Sequence, residues 1–215
     1  MEKKIAILDY GFGNTLSVSN ALSKCNAQPV VTKNEKLILN SSGLIIPGVG
    51  AFGKCMDNIL KKKFDKIIFK FVSSNKPILG ICLGMQILFQ KSFEKGVNKG
   101  LGILKGNIDR IDKFSVNKKF LKIPHVTWSK LELELKNNCS ILNNVKPNQM
   151  VYFVHSYCVD KNSLVNKDIV KSFVNYSDVE IVALVQKENI YGCQFHPEKS
   201  GEVGLRILKN FINIC

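Results

Sequence analysis

Residues Gly80-Ile81-Cys82-Leu83-Gly84 place a cysteine between two glycines. The apolar run Ile78–Ile81 before it reads as a strand, and Leu83–Phe89 after it has the apolar spacing of a helix. A nucleophile on a sharp strand-to-helix turn needs flanking residues without side chains, because the turn is strained and its neighbours pack closely. Such a turn does two chemical jobs. The helix N-terminus favours thiolate over thiol, and the backbone N–H of Leu83, unused by the helix, can help hold a tetrahedral oxyanion. The plain alternative is a buried structural thiol after a core strand.

A cysteine nucleophile needs a base that takes its proton and returns it to a leaving amine, and the base needs an orienting acid. His196-Pro197-Glu198, which with Gln194-Phe195 before it follows the apolar run Ile190–Cys193, supplies both residue types with a proline fixing the backbone between them. Alone, the tripeptide also reads as an ordinary turn. Another segment, Ile45-Ile46-Pro47-Gly48-Val49-Gly50-Ala51-Phe52-Gly53, is a glycine-rich turn at the end of an expected parallel strand, where open α/β sheets place their sites. It lacks the Lys-Ser/Thr of a phosphate-binding P-loop and the spacing of a dinucleotide fingerprint. Its glycines permit peptide N–H groups to point at a developing oxyanion.

The elements that must position these groups are legible as patterns. Apolar runs at Ile5–Leu8, Pro29–Val31, Gly43–Ile46 and Ile78–Ile81 alternate with amphipathic stretches at Thr15–Cys25, Met56–Ser73 and Leu83–Phe89. This is the rhythm of β-α units on a parallel sheet buried on both faces. Shorter β-like pieces follow at Gly106–Ile111, Phe120–Ile123, Met150–Tyr157, Ile169–Val174, Ile181–Gln186 and Ile190–Phe195, before a closing helix at Gly201–Ile214. These predict antiparallel strands added to the sheet, hence an α/β sandwich. Lys136–Pro147 reads as a surface loop around a short helix, and residues 1–215 as a single domain.

Composition narrows the function classes. The net charge of +14 comes from lysines spread along the whole chain and not interleaved with exposed aromatics, which argues for a solvated surface and against nucleic-acid binding. The 7 cysteines are scattered with no C-x-x-C pair, so neither a disulfide framework nor a cysteine zinc site is expected. The N-terminal apolar run is too short for a signal segment or membrane span, so a cytoplasmic protein without a membrane partner is expected. No cofactor is expected. A zinc site from His125, His155 and His196 is conceivable, but lone histidines at strand ends are more often hydrogen-bonded structural groups.

Taken in order, Pro47-Gly48-Val49-Gly50, Gly80-Ile81-Cys82-Leu83-Gly84-Met85-Gln86 and Gln194-Phe195-His196-Pro197-Glu198-Lys199-Ser200 resemble the class I glutamine amidotransferases. The likeness is nearest to the glutaminase subunit of imidazole glycerol phosphate synthase, supported by Tyr10–Asn14, Lys122–His125 and Tyr152–Tyr157. The resemblance implies a flavodoxin-like three-layer sandwich, a mostly parallel central sheet extended by antiparallel strands, and a nucleophile elbow. It implies a triad of Cys82, His196 and Glu198, and an oxyanion hole from Val49, Gly50 and Leu83. L-Glutamine would be held by Gly48, Gln86, Glu94, Ser156 and Tyr157. By the same resemblance Tyr10, Asn14, Tyr152 and Lys199 would face a (β/α)₈ cyclase subunit in a heterodimer, through which the ammonia passes to a phosphorylated nucleotide in histidine biosynthesis. One segment departs from the pattern: after His125 the family reads Met/Ile-Gly-Trp-Asn, whereas this chain has Val126-Thr127-Trp128-Ser129. The alternatives left open are a paralogous subunit feeding a surface-sugar amidotransferase, another cysteine hydrolase, and a non-catalytic module on the same fold.

Overall fold

A computed structural model describes residues 2–116, 121–134 and 138–215. The first half runs β1 (Lys4–Leu8), α1 (Thr15–Lys24), β2 (Gln28–Thr32), α2 (Glu35–Leu39), β3 (Gly43–Ile46), α3 (Phe52–Lys61), α4 (Phe64–Ser73), β4 (Ile78–Ile81) and α5 (Leu83–Gln86). The second half adds β5 (Lys91–Ser92), β6 (Asn98–Lys99), β7 (Asn107–Arg110), β8 (His125–Lys130), β9 (Glu132–Leu133), β10 (Met150–His155), β11 (Tyr157–Val159), β12 (Val170–Tyr176), β13 (Val179–Lys187), β14 (Ile190–Cys193) and α6 (Gly201–Ile214).

Eight strands form the central sheet in the order β2-β1-β3-β4-β14-β13-β12-β9. The pairs from β2 through β14 are parallel, and those from β14 to β9 are antiparallel. Residues alternate across a strand, so a sheet covered on both sides needs unbroken apolar runs. Ile5 and Ile7 of β1 accordingly pack into one core with Val18, Leu22, Ile207 and Phe211, from α1 and α6. Ala6 and Leu8 pack into the other with Ile38, Ile59, Ile68 and Phe71, from α2, α3 and α4. The result is a three-layer α/β sandwich. Its parallel half ends at β14, and the strand ends there carry the chemistry-bearing residues. Two small sheets, β10-β8 and β11-β7-β5-β6, complete the fold, β10 meeting His196 through the Tyr152 carbonyl and β11 meeting Gln86 through the Tyr157 carbonyl.

Some expectations change. Met56–Ser73 is not one helix: α3 starts earlier, at Phe52, and the chain turns at Lys63, whose φ is +60°, before α4 begins. Lys61-Lys62-Lys63 offers nothing apolar to bury, so both helices dip into the same core on either side of it. The helix after Cys82 is α-helical only through Gln86. Met150–Tyr157 is not one strand. It divides at Ser156 into β10, which pairs with β8, and β11, which pairs with β7. Of the strand expected at Phe120–Ile123, Phe120 lies outside the described residues and Leu121–Ile123 form no strand; pairing begins at His125. In the expected surface loop, Lys136 and Asn137 lie outside the described residues, while Ile141 and Leu142 are core residues on a 3-10 turn. Among the described residues no helix is long and apolar enough to cross a membrane, and no two cysteines are joined.

Candidate active site

Cys82 occupies the junction of β4 and α5 with φ +54° and ψ −110°, a conformation that side-chain-bearing residues seldom adopt. The surroundings impose it. Its N–H donates to the Cys193 carbonyl of β14 at 2.7 Å, and its carbonyl accepts from Gln86 N–H at 3.1 Å. The flanking glycines are required by close approach: a Cβ on Gly84 would lie 1.8 Å from the Ile46 carbonyl oxygen, and one on Gly80 2.6 Å from the Gly84 carbonyl oxygen. The glycine-rich turn packs on the same elbow, because a Cβ on Gly48 would sit 2.6 Å from the Gly84 nitrogen. Three glycines thus seat β3, β4 and α5 against one another. Leu83, the first residue of α5, presents an N–H that the helix cannot use.

His196 emerges from the end of β14. Its N–H donates to the Tyr152 carbonyl at 2.9 Å, and its carbonyl accepts from Ser200 Oγ at 2.6 Å. A 3-10 turn over Pro197–Lys199 then brings Glu198 back, so that Oε1 lies 2.7 Å from His196 Nδ1 with both side chains buried. Burial by itself would disfavour the charged imidazole. The Cys82 sulfur and the Glu198 carboxylate outweigh that and raise the His196 pKa to about 10. Nε2 is enclosed and, among the described residues, has no hydrogen bond of normal geometry, although the sulfur acts on the ring electrostatically.

Above the sulfur opens a cavity of about 270 Å³, lined by Val49, Gly50, Cys82, Leu83, Gln86, Glu94, Pro124, Val154, His155, Ser156 and Tyr157. The arrangement can carry out nucleophilic acyl chemistry on a small polar substrate: a sulfur on a strained turn, a charged imidazole held by a carboxylate, and spare backbone donors beside them.

The family description "Glutamine amidotransferase class-I" matches residues 6–215. The chain belongs to the class I glutamine amidotransferases. Among curated members of this family, it is 45% identical over 207 residues to the imidazole glycerol phosphate synthase subunit HisH of Caldanaerobacter subterraneus, covering 96% of each chain. It is 41% identical to the HisH of Geobacillus sp., covering 98% of this chain and 96% of that one. Among solved structures, PurLQS from Thermotoga maritima superposes with a TM-score of 0.75 at 21% identity over 99% of both chains. A solved glutamine amidotransferase does so with a TM-score of 0.70 at 16% identity, covering 98% of this chain and 99% of that one. At these identities the structural likeness shows the amidotransferase fold alone.

Within this amidotransferase the structure brings together Cys82, Val49, Gly50, Leu83, Gln86, Glu94, Ser156 and Tyr157 on one cavity. Gly48 does not line it. It is buried behind the wall, packed on Gly84 and Tyr10. Gln86 is buried, and its amide nitrogen is already engaged by the Tyr157 carbonyl at 2.8 Å and by Gln194 Oε1 at 2.9 Å. Glu94 Oε2 accepts the Phe52 N–H of α3 at 2.7 Å.

The expected docking residues separate. Asn14 and Lys199 are exposed and Tyr152 is half-buried, with its ring against the exposed Trp128. Tyr10 is a correction: its side chain is fully buried and donates to the Pro47 carbonyl at 2.6 Å, so it braces the glycine-rich turn from inside and cannot meet a partner. Sequence reasoning gave no role to Ser200, which bridges His196 and the Tyr152 N–H, or to Gln194. The signal for Gln194 was its closeness in sequence to His196. It stands two residues before His196, just past the end of β14, and both side chains approach the Cys82 sulfur. The three histidines do not converge on a metal position. His125 and His155 bond to each other, and among the described residues no group of three ligating side chains is arranged for a metal ion.

Proposed function

We propose that the chain is the glutaminase subunit of imidazole glycerol phosphate synthase, hydrolysing L-glutamine in the cytoplasm and passing the ammonia to a (β/α)₈ cyclase subunit for histidine biosynthesis. The observation that carries this reading is the buried His196–Glu198 pair acting on Cys82 at the floor of the cavity. The destination of the ammonia follows the near-full-length relatives, which are named as HisH subunits. These favour histidine biosynthesis over a surface-sugar pathway.

In the proposed mechanism the Cys82 sulfur attacks the side-chain amide carbon of glutamine, forming a C–S bond. The oxygen of the tetrahedral adduct is held by N–H groups of Leu83 and of the Val49–Gly50 turn. His196, charged at neutral pH, gives its proton to the departing nitrogen as the C–N bond breaks, leaving a thioester and ammonia. The neutral imidazole then takes a proton from water, whose oxygen displaces the sulfur and releases glutamate. Glu198 keeps Nδ1 protonated and Nε2 directed at the reacting atoms throughout. The Glu94 carboxylate, with one oxygen anchored to Phe52 N–H, offers negative charge to the substrate ammonium.

Val126 and Trp128 expose apolar side chains on β8, next to Tyr152 on β10, and this face with Asn14 and Lys199 is where the cyclase would dock. The deciding experiment pairs Cys82→Ala with the cyclase subunit. Glutamine-dependent synthesis should fall by about four orders of magnitude or more, while synthesis from supplied ammonium continues. Intact glutamine-dependent synthesis in that variant would reject the mechanism.

A further inference from the structure

The buried polar residues beside the cavity form one continuous hydrogen-bonded chain. Ser129 Oγ lies 3.0 Å from His125 Nε2, and His125 Nδ1 lies 3.0 Å from His155 Nε2. His155 Nδ1 is 2.8 Å from the Tyr157 carbonyl oxygen. Gln86 Nε2 meets the same carbonyl at 2.8 Å and Gln194 Oε1 at 2.9 Å, and Gln194 Nε2 lies 3.6 Å from the Cys82 sulfur.

One member has fixed polarity and sets all the others. A backbone carbonyl can only accept. His155 therefore carries its proton on Nδ1, its Nε2 accepts from His125 Nδ1, and His125 Nε2 accepts from the Ser129 hydroxyl. Burial holds both rings neutral, pushing His125 down to about 4 and His155 down to about 3, so each has a single proton to place. On the other side Gln86 must turn its NH₂ toward Tyr157. The same NH₂ then faces Gln194, whose carbonyl oxygen must accept it. Gln194 is left with its own NH₂ aimed at the sulfur.

We propose that Gln194 is a further catalytic residue, an N–H donor to the Cys82 sulfur, oriented by Gln86 and the Tyr157 carbonyl, which His155, backed by His125 and Ser129, holds in place. This rests on the reading of Cys82 as the nucleophile. A hydrogen bond to a charged acceptor is roughly twice as strong as a neutral one, so the contact favours the thiolate that attacks. It also favours the electron pair returning to sulfur when the thioester C–S bond breaks. The outer end of the chain lies on β8 beside the exposed Trp128, which connects that face to the reacting atom.

Iodoacetamide alkylation of the full chain, read by mass spectrometry of the peptide containing Cys82, reports on the sulfur directly. Gln194→Met keeps the shape and removes both the donor to the sulfur and the acceptor for Gln86. Alkylation at pH 7 should slow about tenfold, the loss expected for one charge-assisted hydrogen bond. The kcat should fall by more than the KM for glutamine rises, since Gln194 does not line the cavity but bonds Gln86, which does. Ser129→Ala, a change of one hydroxyl at the far end, should slow alkylation about twofold and add nothing once Gln194→Met is present. Unchanged alkylation in Gln194→Met would overturn the role of Gln194. Effects of Ser129→Ala that are absent, or that multiply with Gln194→Met, would overturn the chain. If Cys82 in the unaltered protein reacts no faster than the half-buried Cys25 and Cys215, the nucleophile reading itself fails.

Discussion

Oε1 of Glu198 sits 2.7 Å from Nδ1 of His196, and neither side chain is more than 3% exposed. Two residues apart, they meet only because Pro197 opens a 3-10 turn that folds the carboxylate back onto the ring. An imidazole in so dry a place would ordinarily be neutral. Here the carboxylate on one side and the sulfur on the other hold the proton on it.

That relationship has a pH signature. His196 titrates near 10 in the folded protein and near 6.5 in the unfolded chain, so its stabilising contribution is complete below about pH 6.5 and is lost as pH rises through 10. Thermal melting temperatures should decline across that window, and Glu198→Gln should flatten the decline by removing one of the two charges that hold the proton. Equal slopes in the two proteins would contradict the pairing.

Glu94 joins the N-terminus of α3 to the cavity. Glu94→Gln retains an oxygen for the Phe52 N–H, so urea denaturation should show stability within about 0.5 kcal/mol of the unaltered protein. The neutral amide cannot pair with an ammonium group, and the KM for glutamine should rise about tenfold. A steady-state KM that stays put would remove Glu94 from the substrate pocket.

Gly84 has no room for a side chain, because its added Cβ would meet the Ile46 carbonyl oxygen at 1.8 Å. Gly84→Ala must push α5 away from β3. Equilibrium unfolding should show a loss of about 1–3 kcal/mol, the usual cost of overpacking. Glutaminase activity should fall with it, since Cys82 and the Leu83 N–H ride on the same turn. A variant as stable and active as the parent would show that the elbow tolerates separation.

Tyr10 and Trp128 should respond oppositely when partner affinity is titrated. Tyr10→Phe deletes a buried hydroxyl that donates to Pro47, which should cost about 1 kcal/mol of stability and leave docking unchanged. Trp128→Ala removes an exposed ring and should weaken docking about tenfold or more, with stability nearly unaffected. Weakened docking in Tyr10→Phe alone would return that residue to the interface.

Much of this was legible in the chain. The parallel strands announced themselves as short apolar runs because a sheet buried on both faces tolerates little else, and β1, β3 and β4 fall where those runs stand. The glycines around Cys82 were readable as close-approach positions for the same reason that their Cβ contacts are now impossible. Less could be read where pattern and burial part company. β8 reads His-Val-Thr-Trp-Ser-Lys, and its inward residues are polar groups bonded to one another, so no apolar alternation marks it as a strand. Tyr10 looked like a surface aromatic in a glycine-rich loop, and nothing local says that the loop folds under its own neighbour.

What the sequence by itself determined was the inventory: which residue is the nucleophile candidate, which pair could serve it, and which glycines must let three backbones meet. These depend on residue type and short-range spacing, which the chain states directly. Only the tertiary structure decided the orientations, because they are set by partners far away in the chain. The 3-10 turn aligns Glu198 with His196 locally, but the direction of the Gln194 amide is fixed by the Tyr157 carbonyl, acting through Gln86. Hydrogen-bond polarity passes from group to group in space, and a linear pattern carries no record of it.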